Sequence, residues 1–459
     1  MSEGAVDWEA ATRAADPLAD RTVAAIVGEG NDASSGAGRE RLAQATRSMA
    51  GWTTNASLAG WTAGAGVHPE VAAALHAYLD AGRALPEWTR DADVERAENV
   101  FMDYGPLSCT LLFCASLPEC YVLPRLAEVL HVAGQLEAHT EHRIRQTAAM
   151  VFPVMMKGGL THPEGGGVAQ VLKVRLIHAT IRHLILRGAP QDAQGRVEPL
   201  LRAAGAPPPA TLYQALHAKG WDVDRDGLPC NQLELAYTLL TFGYVFLKGM
   251  RRIGVPLTPE QEAAYLHAWN VAGHVLGIRD TLMAHTMEQA EALFERIQAE
   301  ARARPIAPDV RPALGGALID AMARSIGVPV LKRLPVPLTR WLIGTQAARE
   351  IGVNQRVGLL VRAVFAGALL LTRAIDAVVR LAFPQFSLVR MFTRAVGYQM
   401  LTRFLLDQTR PLGLPDELLQ PLQRTVAGWH QDRRAPRWVN RLEDRMTTQG
   451  EWRAPGAAG

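Results

Sequence analysis

The chain has 459 residues, 48% of them hydrophobic and 20% charged, and its 48 Lys and Arg are nearly cancelled by 45 Asp and Glu. A net charge of +3 over that length supplies no concentrated positive field, which argues against a nucleic-acid partner. Cysteines at 109, 114, 120 and 230 form neither a Cys-x-x-Cys metal pair nor a disulfide-dense scaffold, and read as buried thiols of a reducing compartment.

The first segment, Met1 to Glu9, lacks a basic stretch followed by an apolar run, so a cytoplasmic location is expected. Residues 1–68 read as an N-terminal arm and loops, because the Gly- and Ser-rich stretch 28–38 is too polar to pack. From residue 69 apolar side chains recur at helical spacing, as in Val71, Leu75, Tyr78 and Leu79, and Leu123, Leu126, Val129 and Leu130. Ala, Leu and Arg dominate, and alternating β-branched runs are nearly absent. The predicted class is all-α, with a helical core over 69–302.

Glycine and proline clusters divide that core. Residues 157–167, with Gly158-Gly159 and Gly165-Gly166-Gly167, predict a tight connection between two long helices, and 188–229 predicts a long excursion with one short helix. The run 303–309 separates a C-terminal helical region, 303–447, from a disordered tail at 448–459. The most apolar stretch, 357–383, is broken by Arg362, Arg373, Asp376 and Arg380, and so reads as a buried or membrane-surface helix and not a span.

Familiar catalytic templates are missing: there is no His-Glu-x-x-His, no phosphate loop and no Gly-x-Ser-x-Gly. Asn55-Ala56-Ser57 matches a glycosylation triplet but carries no weight without an export signal. Two helices hold more information. On the first, Arg143, Gln146 and Thr147 share one face at i, i+3 and i+4. On the second, Arg175, His178 and Arg182 line one side over two turns. One reading makes both arginines solvated and His178 a packing residue; the other makes His178 an iron ligand with an arginine pairing a haem propionate. A third helix carries Thr238 and Thr241, residues that in apolar helices bond back to their own carbonyls. Thr258, Pro259 and Gln261 form a capping box for a helix that Gly277 ends. His139, His142, His183, His267, His274 and His285 read as surface or packing residues.

In order along the chain, Ser116-Leu117-Pro118-Glu119, the Arg143 to Thr147 helix, Gly158-Gly159-Leu160, Arg175-Leu176-Ile177-His178 with Arg182, Asn231-Gln232 followed by Thr238 to Phe242, Gly273 to Gly277, and Arg340 to Thr345 are similar to a known family. The chain resembles the haem-dependent oxygenases that include the latex clearing proteins (rubber oxygenases) and the MpaB-type oxygenases.

The resemblance implies a globin-like helical core around one b-type haem, with extra N- and C-terminal helices, and dioxygen as co-substrate. It matches His178 to the proximal iron ligand, and Arg182, with Arg175 beside it, to propionate contacts. Arg143 and Thr147 match polar residues on the distal side, Thr238 or Thr241 would line the pocket, and Glu119 or Glu128 would correspond to a catalytic glutamate. Gln146 stands where some relatives have a lysine that can reach the sixth coordination position, so that gate is expected to be missing. The reading that follows is an oxygenase acting on a C=C bond of a hydrophobic small molecule or polyisoprenoid. A haem carrier or sensor without turnover is one alternative. The other is a non-haem protein that makes peripheral membrane contact through the basic, apolar stretch 356–390.

Overall fold

The computed structural model describes residues 7–28, 35–135, 140–200, 209, 211–255, 257–325, 332, 334–354 and 367. The apolar stretch 357–383, the proposed membrane-surface segment and the tail 448–459 therefore lie outside the described residues, apart from position 367.

The all-α class holds. The chain begins with α1 (Trp8–Thr12), α2 (Pro17–Val27), α3 (Gly36–Met49), α4 (Asn55–Ala59), α5 (Pro69–Gly82) and α6 (Asp91–Asp103). It continues through α7 (Gly105–Leu111), a π-helical turn over Leu112–Ser116, α8 (Leu117–Cys120), α9 (Pro124–Gln135), α10 (Thr140–Met155) and α11 (Gly167–Leu186). The excursion contains α12 (Leu212–Ala218) and α13 (Val223–Asp226), together with a two-residue strand pair, Arg196–Val197 against Trp221–Asp222. After it come α14 (Gln232–Phe242), α15 (Tyr244–Ile253), α16 (Pro259–Val275), α17 (Met287–Arg302), α18 (Arg311–Ser325), α19 (Pro335–Ile343) and α20 (Thr345–Glu350). No single described helix is long and apolar enough to cross a membrane.

The N-terminal segment is not an arm of loops. Asp16 caps α2 and Pro17 occupies its first turn, a strong start signal, and Ala19, Val23 and Ile26 are completely buried where α2 packs on α5 and α11. The polar glycine-rich stretch hid a helix that belongs to the core. C-terminal to residue 303, α18 packs on α9 and α10, and α19 packs on the π-helical turn, so this part of the chain is knitted to the same body.

α11 is the centre of the arrangement, in contact with α2, α10, α12 and α16. Its hairpin with α10 turns through the predicted glycine connection. There Glu98 accepts hydrogen bonds from the backbone N–H groups of Gly158 (2.8 Å) and Gly159 (3.0 Å). The Asn55 side chain donates to the carbonyls of Gly159 and His162 at 2.9 Å and accepts from the N–H of Val168 at 3.1 Å. These two residues satisfy polar groups that a tight turn leaves over. They also give Asn55 a structural task, with its amide spent on backbone groups.

Candidate active site

α10 and α11 run back to back from the connection, where a Cβ on Gly167 would lie 3.1 Å from the Cα of Val154. Arg143 precedes Val154 by as many residues as His178 follows Gly167, so at ~1.5 Å rise per residue both stand at one height on their helices. Thr147 is one turn closer to the connection. The side chain of Arg143 lies outside those described; Gln146 is exposed and Thr147 half-buried.

His178 lies midway along α11. Its Nδ1 is buried and has no hydrogen-bond partner, and the residue as a whole is half-buried. Burial, reinforced by the Arg182 charge, lowers its pKa to about 4, so the ring is neutral at pH 7. Val174, Ile177, His178 and Ile181 follow i, i+3, i+4 and i+7 and form one stripe. Although this helix is central, the stripe stays open: Val174 and Ile181 are half-buried and Ile177 is 44% exposed. On α10, Met150 is likewise half-buried. A neutral imidazole set in an open apolar stripe is the donor type and setting for a flat, apolar iron complex that asks the protein for one nitrogen.

The neighbouring face of α11 corrects the reading of the arginines. Arg175 donates to both carboxylate oxygens of Asp16, at 2.5 and 2.7 Å, and to the carbonyl of Val275 at 3.0 Å. Arg182 is completely buried and donates twice to Asp20, at 2.9 and 2.7 Å, and to the carbonyl of Cys230 at 2.8 Å. Neither guanidinium is solvated, and neither ends at an open site for a propionate; both tie α11 to α2. A buried cation needs a partner, and here Asp16 and Asp20 already supply it. Sequence reasoning missed these two aspartates. Their only local signal was Asp-Pro at a helix start with a second Asp one turn on.

Glu119 is buried. It accepts from Gln298 at 2.9 Å and from the Tyr237 hydroxyl at 3.3 Å, partners on α17 and α14. Burial pushes its carboxyl up to about 7. Glu128 is held below its ordinary range despite burial by Lys219 and Arg125. Thr238 and Thr241 bond back to their own helix, Thr238 to the carbonyl of Glu234 at 2.8 Å and Thr241 to that of Thr238 at 2.7 Å. Thr241 is completely buried against Cys120 Sγ, so of the two only Thr238, half-buried, has a surface to offer. All four cysteines are buried thiols, as their spacing suggested.

A separate cavity of about 90 Å³ lies between α1, α9, α14 and α17, lined by Trp8, Leu123, Glu234 and Ile297 among others, with no contribution from His178. Glu234 Oε2 is buried without a partner, and burial raises this carboxyl to about 7. A carboxyl raised from 4.5 favours the folded state while protonated, so its contribution is complete below about pH 4.5 and is lost as pH climbs through 7. Urea unfolding from pH 5 to 8 is therefore expected to show a decline that Glu234→Gln flattens by on the order of 3 kcal/mol. Parallel curves for the two proteins would contradict this.

Comparison with known proteins identifies the family. Residues 110–381, more than half of the chain, match the family model described as ER-bound oxygenase mpaB/B'/Rubber oxygenase, catalytic domain. The chain belongs to this family. The rubber oxygenase of Streptomyces sp. (strain K30) is 24% identical over 291 residues, which are 62% of this chain and 60% of that protein. The chain thus matches about three-fifths of the length of this curated relative. A solved latex clearing protein in the closed state aligns with a TM-score of 0.58 at 18% identity, over 91% of this chain and 90% of the other, and shows that the two share a helical fold. The family model spans the α10–α11 hairpin and His178.

Proposed function

We propose that the protein is a b-type haem oxygenase that adds dioxygen across a C=C bond of a hydrophobic, isoprenoid-type molecule. The observation that carries this reading is His178: a neutral ring with a partnerless buried nitrogen, on a stripe of Val174, Ile177 and Ile181 left open inside a helical core. Those residues fit a haem. His178 would hold the iron, and the stripe would cover one porphyrin face, since burying apolar surface contributes roughly 25 cal/mol per Å². When bound, the haem supplies an iron that activates dioxygen. Family membership supports the reaction class.

The protein's own groups do the rest. Covered by the bound group, the apolar stripe would keep water away from the His178 ring. Arg143 and Thr147, on the facing helix, would supply a fixed cation and a hydroxyl where negative charge develops. Gln146 brings an amide, a poor iron ligand, and would not compete with dioxygen for a metal held there. Cleaving one C=C to two carbonyls takes up both atoms of one dioxygen and needs no external reductant. Dioxygen uptake by the ferrous protein with squalene, a carotenoid or polyisoprene, compared with a no-substrate control, tests the proposal. Uptake with carbonyl products is expected; haem-loaded protein that consumes no dioxygen on any of the three would leave a carrier or sensor.

A further inference from the structure

We propose that Asp16 and Asp20 are positioning residues for His178: paired with the two arginines that flank it, they fix the rotation and height of α11 and neutralise the charge on either side of the ring, and so set the reduction potential of a haem iron bound there. The proposal rests on reading His178 as the iron ligand.

The geometry is a two-point clamp. Asp16 and Asp20 stand one turn apart on α2 and grip Arg175 and Arg182, which stand two turns apart on α11, with His178 between the grips. A helix tied at two heights by charged forks can neither slide nor turn without breaking one of them. All four residues are at most 9% exposed. The carboxylates are themselves held. Asp16 Oδ1 accepts from the N–H groups of Leu18 and Ala19 as the cap of α2, and Asp20 Oδ2 accepts from the N–H of Asp16 at 3.2 Å. Two family-like sequence features close around the same knot. Gly277 has φ +88°, and a Cβ there would lie 2.6 Å from Asp16 Oδ2 and 2.9 Å from Arg175 Nε. Gln232 donates to the carbonyls of Ala15 and Gly277, both at 2.9 Å.

The electrostatic consequence follows from burial. A ferric haem carries one more positive charge than a ferrous one, so an uncompensated guanidinium one turn from the ligand disfavours the oxidised state. With Asp20 present, Arg182 is cancelled at short range in a region that water does not screen. Asp20→Asn keeps the size of the side chain and removes the compensation.

Spectroelectrochemical titration of the haem-loaded full chain tests this, with haem occupancy and thermal midpoint measured alongside. Asp20→Asn is expected to shift the midpoint potential upward, and Asp20→Asn with Arg182→Gln, which removes both charges, to return it toward wild type. Asp16→Asn, next to the less deeply buried Arg175, is expected to shift it upward by less, and serves if Asp20→Asn does not fold. A purely structural clamp would lower the thermal midpoint with no change in potential; that result, or equal shifts in the single and double variants, overturns the proposal. A wild-type chain that takes up no haem overturns the ligand reading and this proposal with it, whereas normal wild-type haem with unshifted potentials overturns this proposal alone.

Discussion

His178→Ala is expected to fold and to carry no haem. The ring's Nδ1 is buried without a hydrogen bond, so its removal relieves an unsatisfied polar atom and does not break a contact that holds α11 in place. What α11 loses is the ring nitrogen it presents on its open stripe. Without an iron ligand, haem retention falls back to what apolar contact with Val174, Ile177 and Ile181 provides. Haem content by the pyridine haemochrome assay, taken with circular dichroism, reads both effects. An unfolded variant would show that the imidazole is structural, and normal haem content in a folded one would remove it as the ligand.

Gly159→Ala is expected to have the largest effect on stability. A Cβ at this position would lie 2.0 Å from the Pro153 carbonyl oxygen, 2.8 Å from that of Val154 and 2.9 Å from that of Met156. All three are backbone atoms, so no side chain can swing aside and the connection itself must move. The carbonyl of Gly159 also accepts from the N–H of Gly167 at 2.8 Å and from Asn55, which carries the displacement to the start of α11. Overpacking of this kind costs about 3 kcal/mol or more. Urea unfolding measures it, and a loss below about 1 kcal/mol would contradict the account. Because Thr147 and His178 hang on the two arms of this hairpin, haem binding should weaken in parallel.

Several parts of this architecture were readable in the sequence. The Thr258–Gln261 capping box forms as its spacing requires, Gly277 ends the segment after α16 in a left-handed conformation, and Thr238 and Thr241 bond to their own helix. Such features depend on residues a few positions apart, where geometry is fixed by the helix itself. The glycines at 158 to 167 were legible for the same reason.

What was not legible depends on distant partners. Arg175 and Asp16 are separated by 159 positions, and Arg182 and Asp20 by 162, so nothing local to α11 distinguishes a solvated arginine from a buried, paired one. The N-terminal helices were hidden by a glycine-rich stretch that lies between α2 and α3, since composition reports solubility and not where a short amphipathic helix docks. Glu119 is likewise buried among distant partners, Tyr237 on α14 and Gln298 on α17, 118 and 179 positions away.

The absorption spectrum of the purified wild-type chain, produced with an adequate supply of haem, tests the central claim most directly. The account predicts a Soret band corresponding to about one haem per chain, the stoichiometry expected if one histidine, His178, holds the iron. A folded but colourless protein that also takes up no haem on titration would contradict it.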